Sequence, residues 1–204
     1  VNTIPFFSRY YTGKKKSFLL FHQLCRQVWF YQMPLPIGFL GYLLEPLYLK
    51  LLKNQQVLTI SESSRDDLVK YGFDRKKISI FPVGIEIAPV KNVTNIKKFS
   101  HPTVLSLGAI RSMKRTDHQI KAFELAKNKL PELQLIIAGG GEGKYFNRVM
   151  NQIKNSPFSN DIKYLGKISK KEKISLMQKS HLIMVTSVKE GWGLIVTEAA
   201  SQST

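Results

Sequence analysis

Seven short apolar runs, separated by stretches with helical periodicity, place the strongest constraint on the fold of this 204-residue chain. Most runs are rich in Ile, Leu and Val rather than strictly alternating, which is typical of strands covered on both faces. Strands that alternate with helices predict an α/β protein with doubly wound parallel sheets. The runs span residues 18–21, 57–60, 78–81, 104–107, 133–138, 162–165 and 182–186.

Three stretches between these runs carry helical signals. The stretch 63–66 has the composition of an N-cap, and Gly72 predicts the end of the helix that follows. Apolar residues recur at helical spacing over 120–126. Ser169 and Glu172 have the spacing of a capping box, which predicts a helix that begins at once after them.

Residues 86–100 interrupt the alternation of strands and helices. They contain Pro89, several lysines and no clear period, so we predict an interdomain linker there. Residues 1–85 would then be the C-terminal part of one α/β domain. Residues 101–204 would be the N-terminal part of a second.

The chain is strongly basic, with a formal net charge of +17. Such a charge attracts phosphates, anionic lipid surfaces or nucleic acid, but no nucleic-acid-binding motif accompanies it. The single cysteine, Cys25, excludes an internal disulfide, which is consistent with a reducing cytoplasm. We expect a cytoplasmic protein with either a generally basic surface or a peripheral position at the inner face of the membrane.

Residues 33–52 form the one stretch that raises the question of a membrane segment. A spanning helix needs about 20 mostly apolar residues, and this stretch is interrupted by Glu45 and three prolines. The sequence therefore predicts a kinked, partly buried or interfacial helix.

Two carboxylates near the end of the chain carry the clearest chemical signal. Glu190 lies in a glycine-containing loop after the last apolar run, and Glu198 lies in a helix that we expect to begin at about Leu194. Gly191 and Gly193 allow backbone N–H groups to approach an anion at the helix N-terminus. A phosphate on the amides, with a carboxylate on each side, suits a sugar nucleotide in one crevice.

Other loops at the ends of the predicted strands suit the same ligand. Gly108 is followed by Arg111 and Lys114, which is a good pattern for binding a diphosphate. Gly139 and Gly140 follow the next strand and predict close approach of the backbone to a ligand. The histidines have no spacing typical of metal ligands, so no metal site is predicted.

Together these motifs resemble those of retaining glycosyltransferases of the GT-B fold, family 4, also called glycosyl transferases group 1. The resemblance covers nearly all of residues 16–204 and is strongest from residue 57 onward. It implies two Rossmann-like domains, both incomplete because the chain is cut at both ends. We accordingly expect this fragment alone to be inactive.

The resemblance also implies roles for individual residues. Glu190 would contact and orient the donor sugar, and Lys114 would neutralise the diphosphate, with Arg111 as the substitute where Ala109 stands in place of the family's arginine. His22 would help to position the donor sugar or the acceptor. Glu190, Lys114 and His22 are the implied catalytic residues. The implied donor-binding residues are Gly108, Arg111, Lys114, Gly139, Gly140, Lys167, Ile168, Glu190, Gly191, Trp192, Gly193, Leu194, Ile195 and Glu198.

The implied reaction is transfer of a hexosyl group from a UDP-, GDP- or ADP-sugar to a hydroxyl of a sugar or lipid-linked acceptor. It needs neither a cofactor nor a bound metal. The alternative is a catalytically impaired sugar-nucleotide-binding or membrane-associated module, and nucleic acid is the least favoured partner.

Overall fold

The computed structural model describes residues 18–204. The first 17 residues of the predicted domain 1–85, including the basic stretch 14–16, lie outside the described residues. Two compact units make up the chain. Among the described residues, the first unit contains 18–84 together with 189–193, and the second unit contains 85–188 and 194–204.

The first unit is built on a three-stranded parallel sheet in the order β1-β2-β3. Leu19 pairs with Val57, and Val57 pairs with Ile78. The strands are β1 (Phe18–Phe21), β2 (Gln56–Thr59) and β3 (Ile78–Ile80), and the helices are α1 (Trp29–Gln32), α2 (Leu35–Leu52) and α3 (Glu62–Lys70). The three apolar runs predicted as strands here are confirmed.

One core cluster holds this unit together. Leu19, Leu49 and Leu68 are all fully buried, so the sheet, α2 and α3 meet in the same cluster. The predicted stop near Gly72 is confirmed to within two residues, but the predicted cap at 63–66 is wrong. Ser61 caps α3, because its hydroxyl accepts the N–H of Ser64, three residues further on.

The second unit contains a four-stranded parallel sheet in the order β6-β5-β4-β7. Its strands are β4 (Thr103–Leu107), β5 (Gln134–Ala138), β6 (Ile162–Tyr164) and β7 (Leu182–Ile183). Its helices are α4 (Thr116–Lys127), α5 (Gly143–Asn155), α6 (Lys170–Lys179) and α7 (Leu194–Ser201). All four predicted strands exist here, and β7 is shorter than the predicted 182–186.

Both faces of this sheet are covered, as the apolar runs predict. Alternate residues of β4 enter different clusters, with Val104 packing in the cluster of Phe123 and Leu105 in the cluster of Met177 and Ala199. Helices α4 and α5 contribute to the first cluster, and α6 and α7 to the second. The doubly wound arrangement is therefore confirmed in this unit.

Two segments lie elsewhere than in the predicted domain division. The predicted linker, 86–100, packs on the second unit, where Ile87 is buried and the N–H of Phe99 donates to the carbonyl of Lys179 at 2.9 Å. The loop 189–193, predicted within 101–204, belongs to the first unit. Both differences come from contacts between residues far apart in the sequence.

Candidate functional site

In the second unit, the loops that follow β4, β5 and β6 are joined by backbone hydrogen bonds. The N–H of Gly108 donates to Ala138 at 3.0 Å, the N–H of Gly139 donates to Gly166 at 2.7 Å, and that of Ile110 donates to Gly140 at 2.8 Å. These bonds fix the backbone at the carboxyl edge of the sheet. Open α/β sheets bind their ligands at this edge.

Two of these loop positions are closely approached by other atoms, Gly139 by backbone and Gly140 by a side chain that can move. Gly139 has φ +151°, and a Cβ atom there would overlap the carbonyl oxygen of Gly108. A Cβ atom at Gly140 would lie 2.7 Å from Cε of Lys167. The Lys167 side chain therefore crosses directly over the glycine loop.

A cavity of about 410 Å³ opens at this edge. Its volume is within the range of small-molecule sites, roughly 300–1,000 Å³. Three lysines contribute to its wall, which gives the cavity a cationic character suited to phosphate. The lining residues are Leu107, Gly108, Ala109, Ala138, Gly139, Gly140, Lys167, Ile168, Ser169, Lys170, Lys173 and Ile195.

A second, smaller cavity of about 20 Å³ is lined by Lys114. It shares Gly108, Ala109 and Ile195 with the larger cavity, so the two are neighbours along one crevice. The hydroxyl of Thr186 donates to the carbonyl of Lys114 at 2.9 Å and fixes the backbone there. In the described part of the chain Arg111 is exposed and lines neither of these two cavities.

Glu198 of α7 forms an ion pair that the sequence did not indicate. Lys173 Nζ lies 2.6 Å from Glu198 Oε2, and the two side chains are 28% and 13% exposed. Lys173 also lines the larger cavity, so the pair joins Glu198 to its wall. Sequence reasoning missed Lys173 because its partner is 25 residues away on another helix.

The helix that carries Lys173 is fixed by the predicted capping box, which is confirmed. The N–H of Ser169 donates to Glu172 Oε2 at 2.8 Å, and the Ser169 hydroxyl accepts the N–H of Glu172 at 3.2 Å. The backbone and hydroxyl donors of Ser169 lower the pKa of the Glu172 carboxyl. The first turn of α6 is thus held in place beside the cavity.

The last helix begins at Leu194, as the sequence predicts. Ile195 lies in its first turn and lines both cavities, and no acidic residue occupies that turn. Free N–H groups and the helix dipole make such a terminus favourable for an anion.

In the first unit, the loop 189–193 is anchored at two points. Lys189 Nζ lies 2.5 Å from Asp67 Oδ2. A Cβ atom at Gly191 would lie 2.6 Å from the carbonyl oxygen of His22, so this loop contacts the turn after β1. Between the anchors lies Glu190, which is half-buried, and beyond them lie the exposed Trp192 and Gly193 with φ +76°.

His22 follows β1 and is exposed, and its carbonyl accepts the Ser64 hydroxyl at 2.9 Å. The next turn is organised by Glu45, a carboxylate only 1% exposed. It accepts the N–H groups of Cys25 and Arg26 at 2.8 and 2.6 Å and the indole N–H of Trp29 at 3.1 Å. Burial, followed by the charge of Glu45, raises the pKa of the Cys25 thiol.

The predicted catalytic and donor-binding residues thus fall into two groups. Gly108, Lys114, Gly139, Gly140 and Ile195 surround the crevice of the second unit, together with Lys167 and Ile168. His22 and Glu190 belong to the first unit. A crevice shared by Glu190 and Glu198 stays a prediction. Within residues 18–204, no group of three or more His, Cys, Asp or Glu residues could hold a metal ion.

Solved structures resemble this chain over nearly its whole length. HepE of Anabaena in complex with UDP-glucose gives a TM-score of 0.69 at 15% identity, covering 94% of this chain and 52% of that one. A TarM variant of S. aureus, in a complex that includes UDP, gives 0.68 at 20% identity over 93% and 36%. WaaG, a glycosyltransferase of lipopolysaccharide biosynthesis, gives 0.65 at 16% identity over 91% and 54%. These likenesses confirm the GT-B fold.

Two curated relatives match part of the chain. The poly(glycerol-phosphate) alpha-glucosyltransferase of Bacillus subtilis is 28% identical over 145 residues, which is 71% of this chain and 21% of that protein. The mannosylfructose-phosphate synthase of Agrobacterium fabrum is 25% identical over 148 residues, 66% of this chain and 33% of that protein. The chain spans between about a fifth and a third of these relatives.

The sequence model of the family described as "Glycosyl transferases group 1" matches residues 91–204, which is more than half of the chain. The matched residues include every wall residue of the two cavities. This chain belongs to the group 1 glycosyltransferases.

Proposed function

We propose that the native protein is a retaining glycosyltransferase, which moves a hexosyl group from a nucleotide diphosphate sugar to a hydroxyl acceptor in glycan, glycolipid or polysaccharide synthesis. The observation that carries this proposal is the 410 Å³ cavity, where glycine backbone and three lysines face one space. UDP-sugars are the first donors to test, because the HepE and TarM structures contain UDP-glucose and UDP.

The diphosphate of the donor is assigned to the Gly108 side of the crevice. Departure of the nucleotide diphosphate develops negative charge on its oxygens. Lys114 and the N–H groups of Leu194 and Ile195 at the start of α7 would stabilise that charge. No metal ion or cofactor takes part in the proposed reaction.

The ribose is assigned to Glu198. Because Lys173 already binds Oε2, the second carboxylate oxygen can accept a hydrogen bond from a ribose hydroxyl. The ion pair would hold the carboxylate in one orientation. Lys173 is therefore a positioning residue for the donor.

The transferred hexose and the acceptor are assigned to residues of the first unit. Glu190 would bind hydroxyls of the donor sugar and orient it, rather than act as a nucleophile. His22, on the turn that the 189–193 loop contacts, would help to place the sugar or the acceptor hydroxyl. Attack from the face that the diphosphate leaves would retain the anomeric configuration.

A donor-binding protein that has lost catalysis is the second candidate. Ala109 stands where the resembling family has arginine, and it lines both cavities. A cation is thus missing at the position that the resemblance assigns to neutralising the leaving group. Donor binding without turnover would favour this candidate.

The proposed reaction is tested with the native protein and radiolabelled UDP-glucose, GDP-mannose and ADP-glucose. We expect slow donor hydrolysis with one of them, and loss of at least about a hundredfold in kcat for Glu190→Ala. Glu142→Ala is the control, because Glu142 is exposed in a glycine loop but lines neither cavity. Hydrolysis that inverts the anomeric carbon, seen by NMR, would refute the retaining reaction.

A further inference from the structure

The outer face of α2 exposes a long apolar surface. Residues at alternating spacings of three and four, from Ile37 to Leu51, fall on one side of the helix. The exposed fractions are 75% for Leu35, 56% for Ile37, 54% for Phe39, 55% for Leu40, 50% for Leu43, 46% for Leu44, 57% for Leu47 and 65% for Leu51. We call these eight residues the α2 outer face.

The opposite face of the helix is held inside the first unit. Leu49 and Leu52 are buried in its core, and Glu45 binds the turn after β1. A Cβ atom at Gly41 would lie 2.6 Å from the Trp29 ring, so no side chain fits between them. The helix therefore cannot rotate to bury its outer face within the described residues.

Further exposed apolar and aromatic residues lie just before α2 in the chain. Phe30, Tyr31 and Met33 are 41%, 38% and 43% exposed. Of these, tyrosine is a residue type enriched where a protein meets the polar boundary of a bilayer. An exposed apolar patch larger than a few hundred Å² marks an interaction surface.

The charge around the helix favours an anionic partner. Lys50 and Lys53 are exposed at its C-terminal end, where Lys77 Nζ also donates to the carbonyl of Asn54 at 3.4 Å. Glu45 is the only acidic residue in the sequence of α2, and it is buried. The apolar α2 outer face thus has exposed lysines at one end, and the helix exposes no carboxylate.

We propose that the α2 outer face docks the protein on the surface of an anionic membrane, with the leucines in the acyl boundary and Lys50 and Lys53 among headgroup phosphates. By length and composition α2 could cross a bilayer. Its inner face instead packs in the protein core, so the helix lies in the interface plane. This inference does not depend on the proposed transfer reaction.

The test is flotation of the native protein with vesicles of phosphatidylcholine alone or mixed with phosphatidylglycerol. We expect binding to the mixed vesicles, which falls more than about tenfold in Leu44→Glu/Leu47→Glu, because two apolar contacts are lost. Leu125→Glu is the matched control, since Leu125 is 72% exposed on α4 of the second unit, and its binding should not change.

A second variant makes the test independent of whether Leu44→Glu/Leu47→Glu folds. In Lys50→Gln/Lys53→Gln we expect about fivefold weaker binding per lysine to the anionic vesicles, and none of this loss with phosphatidylcholine alone. Failure of the native protein to float overturns the proposal. So does a dimer, seen by light scattering, that dissociates in Leu44→Glu/Leu47→Glu, or a large fall in Tm in that variant, because either would mean that protein covers this face.

Discussion

Helices α2 and α5 show how differently the two units use apolar residues. In α5, Val149 is fully buried and Tyr145, Phe146, Met150 and Ile153 pack against the core, while most of the remaining residues are polar. In α2, leucines occupy both sides, and only the inner side meets the core. Apolar content alone therefore does not identify core residues. A residue is buried only when its face of the helix packs against neighbouring elements.

The largest expected effect is on the free energy of unfolding. It is the difference between a substitution in the buried core of the second unit and one on the α2 outer face. Phe123→Ala should lower the free energy of unfolding by about 3–5 kcal/mol, because a 1% exposed ring leaves a cavity. Leu47→Ala, at a 57% exposed position, should change it by less than about 0.5 kcal/mol. Urea unfolding of both variants measures the contrast. Equal losses would remove the distinction between the two faces.

Within α2, a substitution on the inner face should lower the free energy of unfolding, whereas a substitution on the outer face should change it little. Glu45→Ala removes the acceptor of three hydrogen bonds and the partner of Arg26. The donors are left without their acceptor in a partly buried turn. We therefore expect the free energy of unfolding to fall by about 3 kcal/mol, as measured by urea unfolding. Glu62→Ala, which removes an exposed carboxylate, is the control. A loss below that of the control would mean that the turn does not depend on Glu45.

In the second unit, the sensitive element is the backbone at the crevice. Gly139→Ala forces a Cβ atom into the carbonyl oxygen of Gly108 at a φ that side chains rarely adopt, and should cost about 2–3 kcal/mol. Gly143→Ala also has positive φ, but nothing lies within 4 Å of its Cβ, and it should cost about 1 kcal/mol. Thermal unfolding compares the two. The same Tm in both variants would contradict the close approach of the loops.

A smaller effect is expected on the KM for the donor. Lys173→Met removes the partner of Glu198 and one cation of the cavity, and should raise the donor KM about tenfold, a loss of about 1.4 kcal/mol, with little change in stability. Lys171→Met is matched to it, since Lys171 is exposed on the same helix and does not line the cavity. Steady-state kinetics checks both. A change in kcat with an unchanged KM would argue against a positioning role.

The smallest effect concerns the loop anchor in the first unit. Partial burial raises the pKa of Asp67, but hydrogen bonds from Lys189 and Lys70 outweigh it, so the pKa lies below its ordinary value. The stabilisation is therefore present above the unfolded pKa, about 3.9, and is lost as pH falls through the folded value. The free energy of unfolding of the wild type should exceed that of Asp67→Asn by less than about 1 kcal/mol at pH 6. Urea unfolding at a series of pH values should show this difference shrink as the pH falls below about 3.9, and a difference that grows there would contradict the anchor.

Local patterns predicted most of the architecture. The seven apolar runs became strands, and Ser169 and Glu172 formed their capping box, because these features depend on near neighbours in the sequence. The cap of α3 was placed two residues late, since Ser61 and Ser63 are equally suitable by composition. Only the hydrogen bond from the N–H of Ser64 distinguishes them.

The features that sequence reasoning missed all join distant residues. Glu45 interrupts an apolar stretch in the sequence, yet in the structure it binds a turn about 20 residues earlier. Lys173 gave no signal, because its partner Glu198 lies on another helix. The crevice loops were predicted from their glycines, but the hydrogen bonds that join them required the strand order.

Calorimetric titration of the native protein with UDP, GDP and ADP, and with their glucose or mannose conjugates, tests the central claim most directly. We expect one nucleotide to bind, and Glu198→Ala to weaken it by about tenfold or more, because the ribose loses its carboxylate acceptor. Absence of binding to every nucleotide would leave the fold intact and contradict the assignment of the second unit's crevice to a sugar-nucleotide donor.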